Sequence, residues 1–238
     1  MAAGISVLAV DGLTVTVERK AIRNLYLRVR PDGSVLLTAP RSATDDRLTA
    51  FIRQKREWLS KRLAAPAAYA PRFVFGERFP VWGVWYPLRT AESPGRAFAA
   101  LQADALCLRA PAGWERDGRK AAMDAFYRRE LSAALPAVVR RQEAVTGLHA
   151  SSWQIRDMST RWGSCTIRTS AIRVNLHLAR FPPECLRYLV THELTHLLEP
   201  GHNSRFYGFL DQFDPGWREA RACLRAGAPV LPPENEKE

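Results

Sequence analysis

Thr191-His192-Glu193-Leu194-Thr195-His196 sets two imidazoles four residues apart, with a carboxylate beside the first. On a helix, residues four apart share a face, one turn above the other. His192 and His196 so placed can grip one metal ion at about 2.0–2.1 Å each. Glu193 reaches over the same face and can hydrogen-bond a metal-bound water. Leu186, Leu189, Val190, Leu194, Leu197 and Leu198 make this segment apolar over most of a helix's circumference, which predicts burial. A buried glutamate between two buried histidines is costly unless something pairs with them, and a metal ion removes that cost.

Catalytic zinc has three protein ligands and one position left for water. Two residues compete for the third place. His202 stands six residues after His196, beyond Pro200-Gly201, a break that lets the chain fold back toward the ion. Glu199 stands three residues after His196. If the helix runs straight on, Glu199 is about one turn further from the ion and suits a supporting role. The reading favours His192, His196 and His202 as ligands of one Zn2+ per chain. The reaction such a set performs is hydrolysis by a metal-activated water, with Glu193 as general base. The oxyanion needs a further electrophile; Arg161, His177 and Tyr207 are candidates that the sequence does not rank.

These residues need elements to hold them. Pro182-Pro183 opens a helix expected to run to about Glu199 and to stop at Pro200-Gly201. Ser152 to Ile155 and Ile172 to Leu176 read as strands, and Pro215 to Arg225 as a last short helix. Arg119 to Thr146 has a long helical pattern, closed by Gly147 and expected to be kinked or split at Pro136. Upstream, Thr14 to Val17, Asn24 to Arg30 and Val35 to Ala39 have strand character. The last two flank a Pro31-Asp32-Gly33-Ser34 turn and predict a hairpin. Thr44 is placed to cap a basic helix over Asp46 to Leu63. Ala64 to Pro71 reads as a Pro/Ala linker, Phe73 to Arg89 as strand-like, Ala97 to Arg109 as a hairpin, and Pro232 to Glu238 as a polar tail. The expected fold class is α+β. A mostly β N-terminal module with one basic helix occupies 1–115, and a small catalytic domain built round an active-site helix occupies 116–238.

The 238 residues suffice for one large or two small domains with a real core. Apolar residues at 47% and charged residues at 25% exclude a wholly disordered chain. No run approaches ~18 uninterrupted apolar residues, so no membrane span is expected. Met1 to Val10 lacks the basic start of a signal peptide. Cys107, Cys165, Cys185 and Cys223 are scattered without a CxxC pair and point to a reducing, cytoplasmic setting. Cys165 reads as packing in preference to a fourth ligand. Lys plus Arg number 35 against 24 Asp plus Glu, a net charge of +11. The arginines carry the excess and are spread along the chain, which fits a GC-rich coding sequence at least as well as a nucleic-acid-binding surface.

Arg161-Trp162-Gly163-Ser164-Cys165, Asn175 with Leu176 and Leu178, Pro182, His192 to His196, His202, Arg205-Phe206, Pro215 and Trp217-Arg218 occur in that order. Together they resemble the YgjP-like metallopeptidases, zincin-fold relatives of the SprT-like proteases. The likeness extends upstream through Arg19 to Arg30, the Pro31-Asp32-Gly33 turn, Ala39-Pro40 and Lys55 to Trp58, and so covers most of the chain. It implies a zincin-like domain over 116–238, zinc ligands His192, His196 and His202, and Glu193 as general base. Gly201 and Tyr207 depart from the family pattern, which often has asparagine and tryptophan there; the second departure weakens Tyr207 as an oxyanion donor. In zincins an edge strand beside the active-site helix holds the peptide by strand addition, and Arg161–Cys165 suits that strand or its support. The expected partner is therefore a protein or peptide, and the SprT-like kinship with the basic charge extends this to DNA-associated proteins. Two other readings stay open: a zinc-stabilised binding module with little turnover, and a nucleic-acid-binding protein acting through the basic helix Arg53 to Arg62.

Overall fold

The computed structural model describes residues 4–30, 33–64, 69–228 and 231. The chain divides into two compact units, residues 1–68 and 69–238. In the first, alternating apolar residues give strands β1 (Gly4–Val10), β2 (Leu13–Lys20), β3 (Tyr26–Val29) and β4 (Val35–Pro40), ordered β1-β2-β4-β3. β2 and β4 run parallel, and the other pairs antiparallel. Asp11 and Gly12 both take positive φ (49° and 83°) in the two-residue turn from β1 to β2, the backbone that a tight hairpin demands. Helix α1 (Asp45–Gln54) begins at Thr44, whose hydroxyl accepts the Arg47 N–H, and α2 (Arg56–Ala64) follows a break at Lys55. Val15, Val17, Val35, Leu37, Leu48, Ile52 and Leu59 fill the core. The β3–β4 hairpin is as expected; β1 is additional, and the single helix of 46–63 is two. Pro31 and Asp32 of the turn, residues 65–68 of the linker and the tail Pro232–Glu238 lie outside the described residues.

In the second unit β5 (Arg78–Val81), β6 (Val84–Glu92), β7 (Phe98–Gln102) and β8 (Ala105–Ala110) form a sheet ordered β5-β6-β8-β7. Helix α3 (Arg116–Thr146) runs through Pro136 without splitting and ends at Gly147, which is left-handed at φ 71° and donates its N–H to the Glu143 carbonyl. Proline costs a helix about 3 kcal/mol; burial of Met123, Phe126, Tyr127, Leu131 and Leu135 along α3 offsets it. A second sheet, β10-β11-β9, joins β9 (Ser152–Arg156) parallel to β11 (Ala171–Asn175) and leaves β10 (Gly163–Thr166) at one edge. Helices α4 (Pro183–Thr195), α5 (Ser204–Phe213) and α6 (Trp217–Ala226) complete it.

Phe79, Leu88 and Leu108 of the first of these sheets, Phe126 and Leu131 of α3, Val174 of β11, Leu194 of α4 and Phe206 of α5 share one core. The expected boundary at 115/116 is therefore corrected. The strands of 78–110 bury their side chains with the helices that follow them, and the units part at 68/69. The α+β class stands. Among the described residues no helix is long and apolar enough to cross a membrane.

Candidate metal centre

Helix α4 stops at Thr195, short of the expected Glu199, and the chain then turns back through Pro200-Gly201. The turn brings His202 to the helix face. His192, His196 and His202 each offer a ring nitrogen, and the three nitrogens lie within 4.8 Å of one another. The Nε2 atoms of His192 and His202 are 3.0 Å apart. A tetrahedral ion bonded at 2.0–2.1 Å separates its nitrogens by about 3.3 Å, so the cluster fits one. Phe206, fully buried on α5, stands 4.8–4.9 Å from all three imidazoles, ring centre to ring centre. Asn203 caps α5 by accepting the Phe206 N–H at 3.0 Å. One short stretch thus places both the third histidine and the ring that backs the set.

The outer nitrogens are also engaged. His196 Nδ1 lies 3.2 Å from the Glu199 carbonyl and His192 Nδ1 lies 3.3 Å from the Tyr188 hydroxyl, which leaves each Nε2 for the site. Glu199 therefore acts through its backbone, and its carboxylate lies outside the ligand cluster. Burial, then the neighbouring imidazoles, hold His192 down at about 3, and burial lowers His196 too. Both stay neutral, the form a metal ligand must have.

Glu193 is 4% exposed, and its Oε2 has no hydrogen-bond partner among the described residues. Burial pushes its carboxyl up to about 8, opposed by the charge of Arg161. The side chain points at β10. A Cβ on Gly163 would stand 2.8 Å from Glu193 Cδ and 2.9 Å from Cγ, closer than carbon atoms approach. Only glycine leaves this space.

The entry to β10 is held by Asn175, whose Nδ2 donates to the carbonyls of Met158 (2.7 Å) and Arg161 (2.8 Å). The Asn175 backbone N–H donates to the Trp162 carbonyl at 2.8 Å. On the other side of α4, the Thr191 hydroxyl reaches Gln142 of α3 at 3.0 Å, and Arg187 pairs with the buried Asp214 at 3.0 Å. These contacts fix the rotation of α4 about its axis, and with it the direction of the histidines.

The histidines and Glu193 open into a cleft of about 500 Å³ lined by α4, α6 and the Arg161–Cys165 segment. Of the three oxyanion candidates, Arg161 lines it. His177 does not: the turn after β11 carries it to Asp157 (3.3 Å) and edge-on to Tyr127. Tyr207 does not either; its ring stacks on Trp217 at 5.3 Å, 6.5 Å from the His202 ring. Cys165 lines the cleft as a free thiol that burial pushes up to about 11. Sequence reasoning missed the parts played by Gly163, Phe206 and Tyr188. Tyr188 alone carried a local signal, one turn before His192 on the same face.

The family model of the YgjP-like metallopeptidase domain matches residues 23–226. Among solved structures, the chain is similar to the metallopeptidase zymogen abylysin of Pyrococcus abyssi, at 18% identity over 39% of this chain and 92% of that one, with a TM-score of 0.36. It is similar also to the zymogen jannalysin of Methanocaldococcus jannaschii, at 20% identity over 39% and 94%, with a TM-score of 0.35. No curated protein sequence matches the chain. The family match runs from β2–β3 of the first unit to the end of α6 and takes in Gly163, Glu193 and all three histidines; the chain belongs to the YgjP-like metallopeptidase family.

Proposed function

We propose that the protein is a zinc endopeptidase with Glu193 as its general base. The observation that carries this is the buried Glu193, one oxygen without a partner, beside three converging imidazoles. A structural metal site closes its coordination and needs no base. His192, His196 and His202 would hold the ion, which when bound supplies a water of lowered pKa and a positive charge for the oxyanion. The rest falls to the chain's own groups. Glu193 takes up the proton of the attacking water and returns it to the leaving amine; a carboxyl poised near neutrality suits both steps. Gly163 keeps the Glu193 carboxylate in place. The free edge of β10 offers backbone groups to an extended peptide, an arrangement that favours cleavage within a chain. Arg161 is the oxyanion-side cation.

The test is metal analysis of untagged, as-purified protein beside His202→Ala, Glu199→Ala and Glu193→Gln, followed by casein cleavage. We expect about one zinc per chain, lost in His202→Ala and kept in the other two, with cleavage abolished in Glu193→Gln. Undiminished cleavage by Glu193→Gln would leave a structural ion and a binding module. No zinc in any of the four, even after it is added back, would overturn the metal reading.

A further inference from the structure

We propose that the cleft selects peptides carrying a carboxylate close to the bond that is cut. This rests on the peptidase reading and names its substrate class. Arg161 ahead of β10 and Arg221 and Arg225 on α6 all line the cleft, and Glu193 is the sole carboxylate doing so among the described residues. Among the described residues neither Arg221 nor Arg225 has a carboxylate partner, and Arg161 makes no ion pair, its charge acting on Glu193 from further off. Other arginines on the helices that line the cleft do: on α4 Arg187 pairs with Asp214 at 3.0 Å, and on α6 Arg218 reaches both oxygens of Asp211 at 2.6 and 3.3 Å. On α6, the two arginines without a carboxylate partner are the ones that face the cleft.

Arg221 is also held in advance. Its guanidinium lies 5.6 Å over the Tyr207 ring and 5.7 Å over the Trp217 ring, and those two rings stack on each other at 5.3 Å. Face contact with rings steadies the cation and leaves its in-plane N–H donors free. That edge is built for a carboxylate, which a guanidinium takes through two parallel hydrogen bonds. A concave site with three cations and one carboxylate also draws in anionic ligands. Tyr207, which does not reach the cleft itself, thus serves as part of the seat for Arg221. The carboxylate could come from an aspartate or glutamate side chain or from the end of a peptide chain; the chemistry is shared, and the experiment separates the two.

Four fluorescein-labelled hexapeptides of one backbone carry Glu or Gln at the centre, each ending as a free acid or an amide. Their binding to zinc-loaded Glu193→Gln protein is read by fluorescence anisotropy, so that nothing is cleaved. Charge-assisted hydrogen bonds suggest that Glu binds at least ~10-fold tighter than Gln. Arg225→Gln, added to Glu193→Gln, should bring the two within about 3-fold, and Arg221→Gln should do the same. Arg225 touches neither ring, so its variant keeps the test sound if Arg221→Gln unfolds. A preference for the free acid, lost in the same variants, assigns the site to the chain terminus. Equal binding of all four peptides, no binding of any, or a preference that neither arginine variant changes would overturn the proposal. So would displacement of all four alike by an oligodeoxynucleotide, which would assign the arginines to phosphate. Casein cleavage by the wild type alongside equal binding would sink this inference alone, whereas failure of the zinc analysis would sink the peptidase reading.

Discussion

Among the described residues of the first unit the buried side chains are all apolar: Val10, Val15, Val17, Val35, Leu37, Ala39, Pro40, Ala43, Leu48, Ile52 and Leu59. Residues 69–238 bury Glu77, Gln142, Asn175, Thr191, Glu193, Thr195 and Asp214 as well. In the first unit the charges stay outside, with Asp11 between Arg53 and Arg56 and Asp45 on Arg19. Its stability follows the apolar area removed from water, which many sequences supply. In the second unit polar groups had to be matched one by one. Glu77 accepts the Tyr69 hydroxyl and the N–H groups of Arg72 (2.8 Å) and Val74 (2.9 Å), and Thr195 donates to the Thr191 carbonyl at 2.8 Å. Glu193 and Asp214 are the buried carboxylates that keep an oxygen without a partner, and Asp214 has Arg187. Glu193 is thus the group hardest to justify by stability, which fits the base role proposed for it.

Glu193→Gln gives the sharpest contrast. We expect kcat/KM to fall by about 10³-fold or more, while the melting temperature does not fall, because a carboxyl that burial already pushes up to about 8 gives way to an uncharged side chain of the same shape. A clear drop in melting temperature would place Glu193 with the structural polar groups and break the distinction. Leu37→Ala should do the reverse. Removing a fully buried leucine costs about 2–5 kcal/mol, seen as faster hydrogen exchange across residues 4–64, with zinc content and casein cleavage kept. Gly163→Ala should lower kcat/KM by about 10²-fold through displacement of Glu193, with Phe79 and Leu131 as protected from exchange as before. The smallest effect belongs to Asp11. Its hydrogen bond from Arg53, then the charges of Arg53 and Arg56, hold its carboxyl below the ordinary 3.8. The folded value being the lower, this contribution is complete above 3.8 and is lost as pH falls through the folded value. Hydrogen exchange in the β1–β2 hairpin should rise over that acid range in the wild type and show no such step in Asp11→Asn.

The His192–His196 pair and Glu193 were legible because helical geometry links residues four apart without help from the rest of the chain. His202 was legible through the Pro200-Gly201 break. The hairpins of 24–39 and 97–109 followed from strand patterns interrupted by turn residues. What was hidden depends on contacts between distant segments. The strand pattern of 78–110 says nothing of whose core it joins, so the boundary expected from it falls too far along the chain. Gly163 looks like any glycine until Glu193, thirty residues on, is packed against it. His177 and Tyr207 had suitable side chains, but the turn after β11 and the stack on Trp217 send them elsewhere.

Phe206 has one more consequence. An aromatic ring in a magnetic field shifts the resonances of protons above its face and beside its edge in opposite directions. The His196 ring is tilted 35° to Phe206, whereas His192 and His202 stand at 72° and 79°. The carbon-bound imidazole protons of His196 should therefore stand apart from those of His192 and His202 in a proton spectrum. A single phenylalanine makes the site its own spectroscopic probe, readable as metal is added, with no label and no substrate.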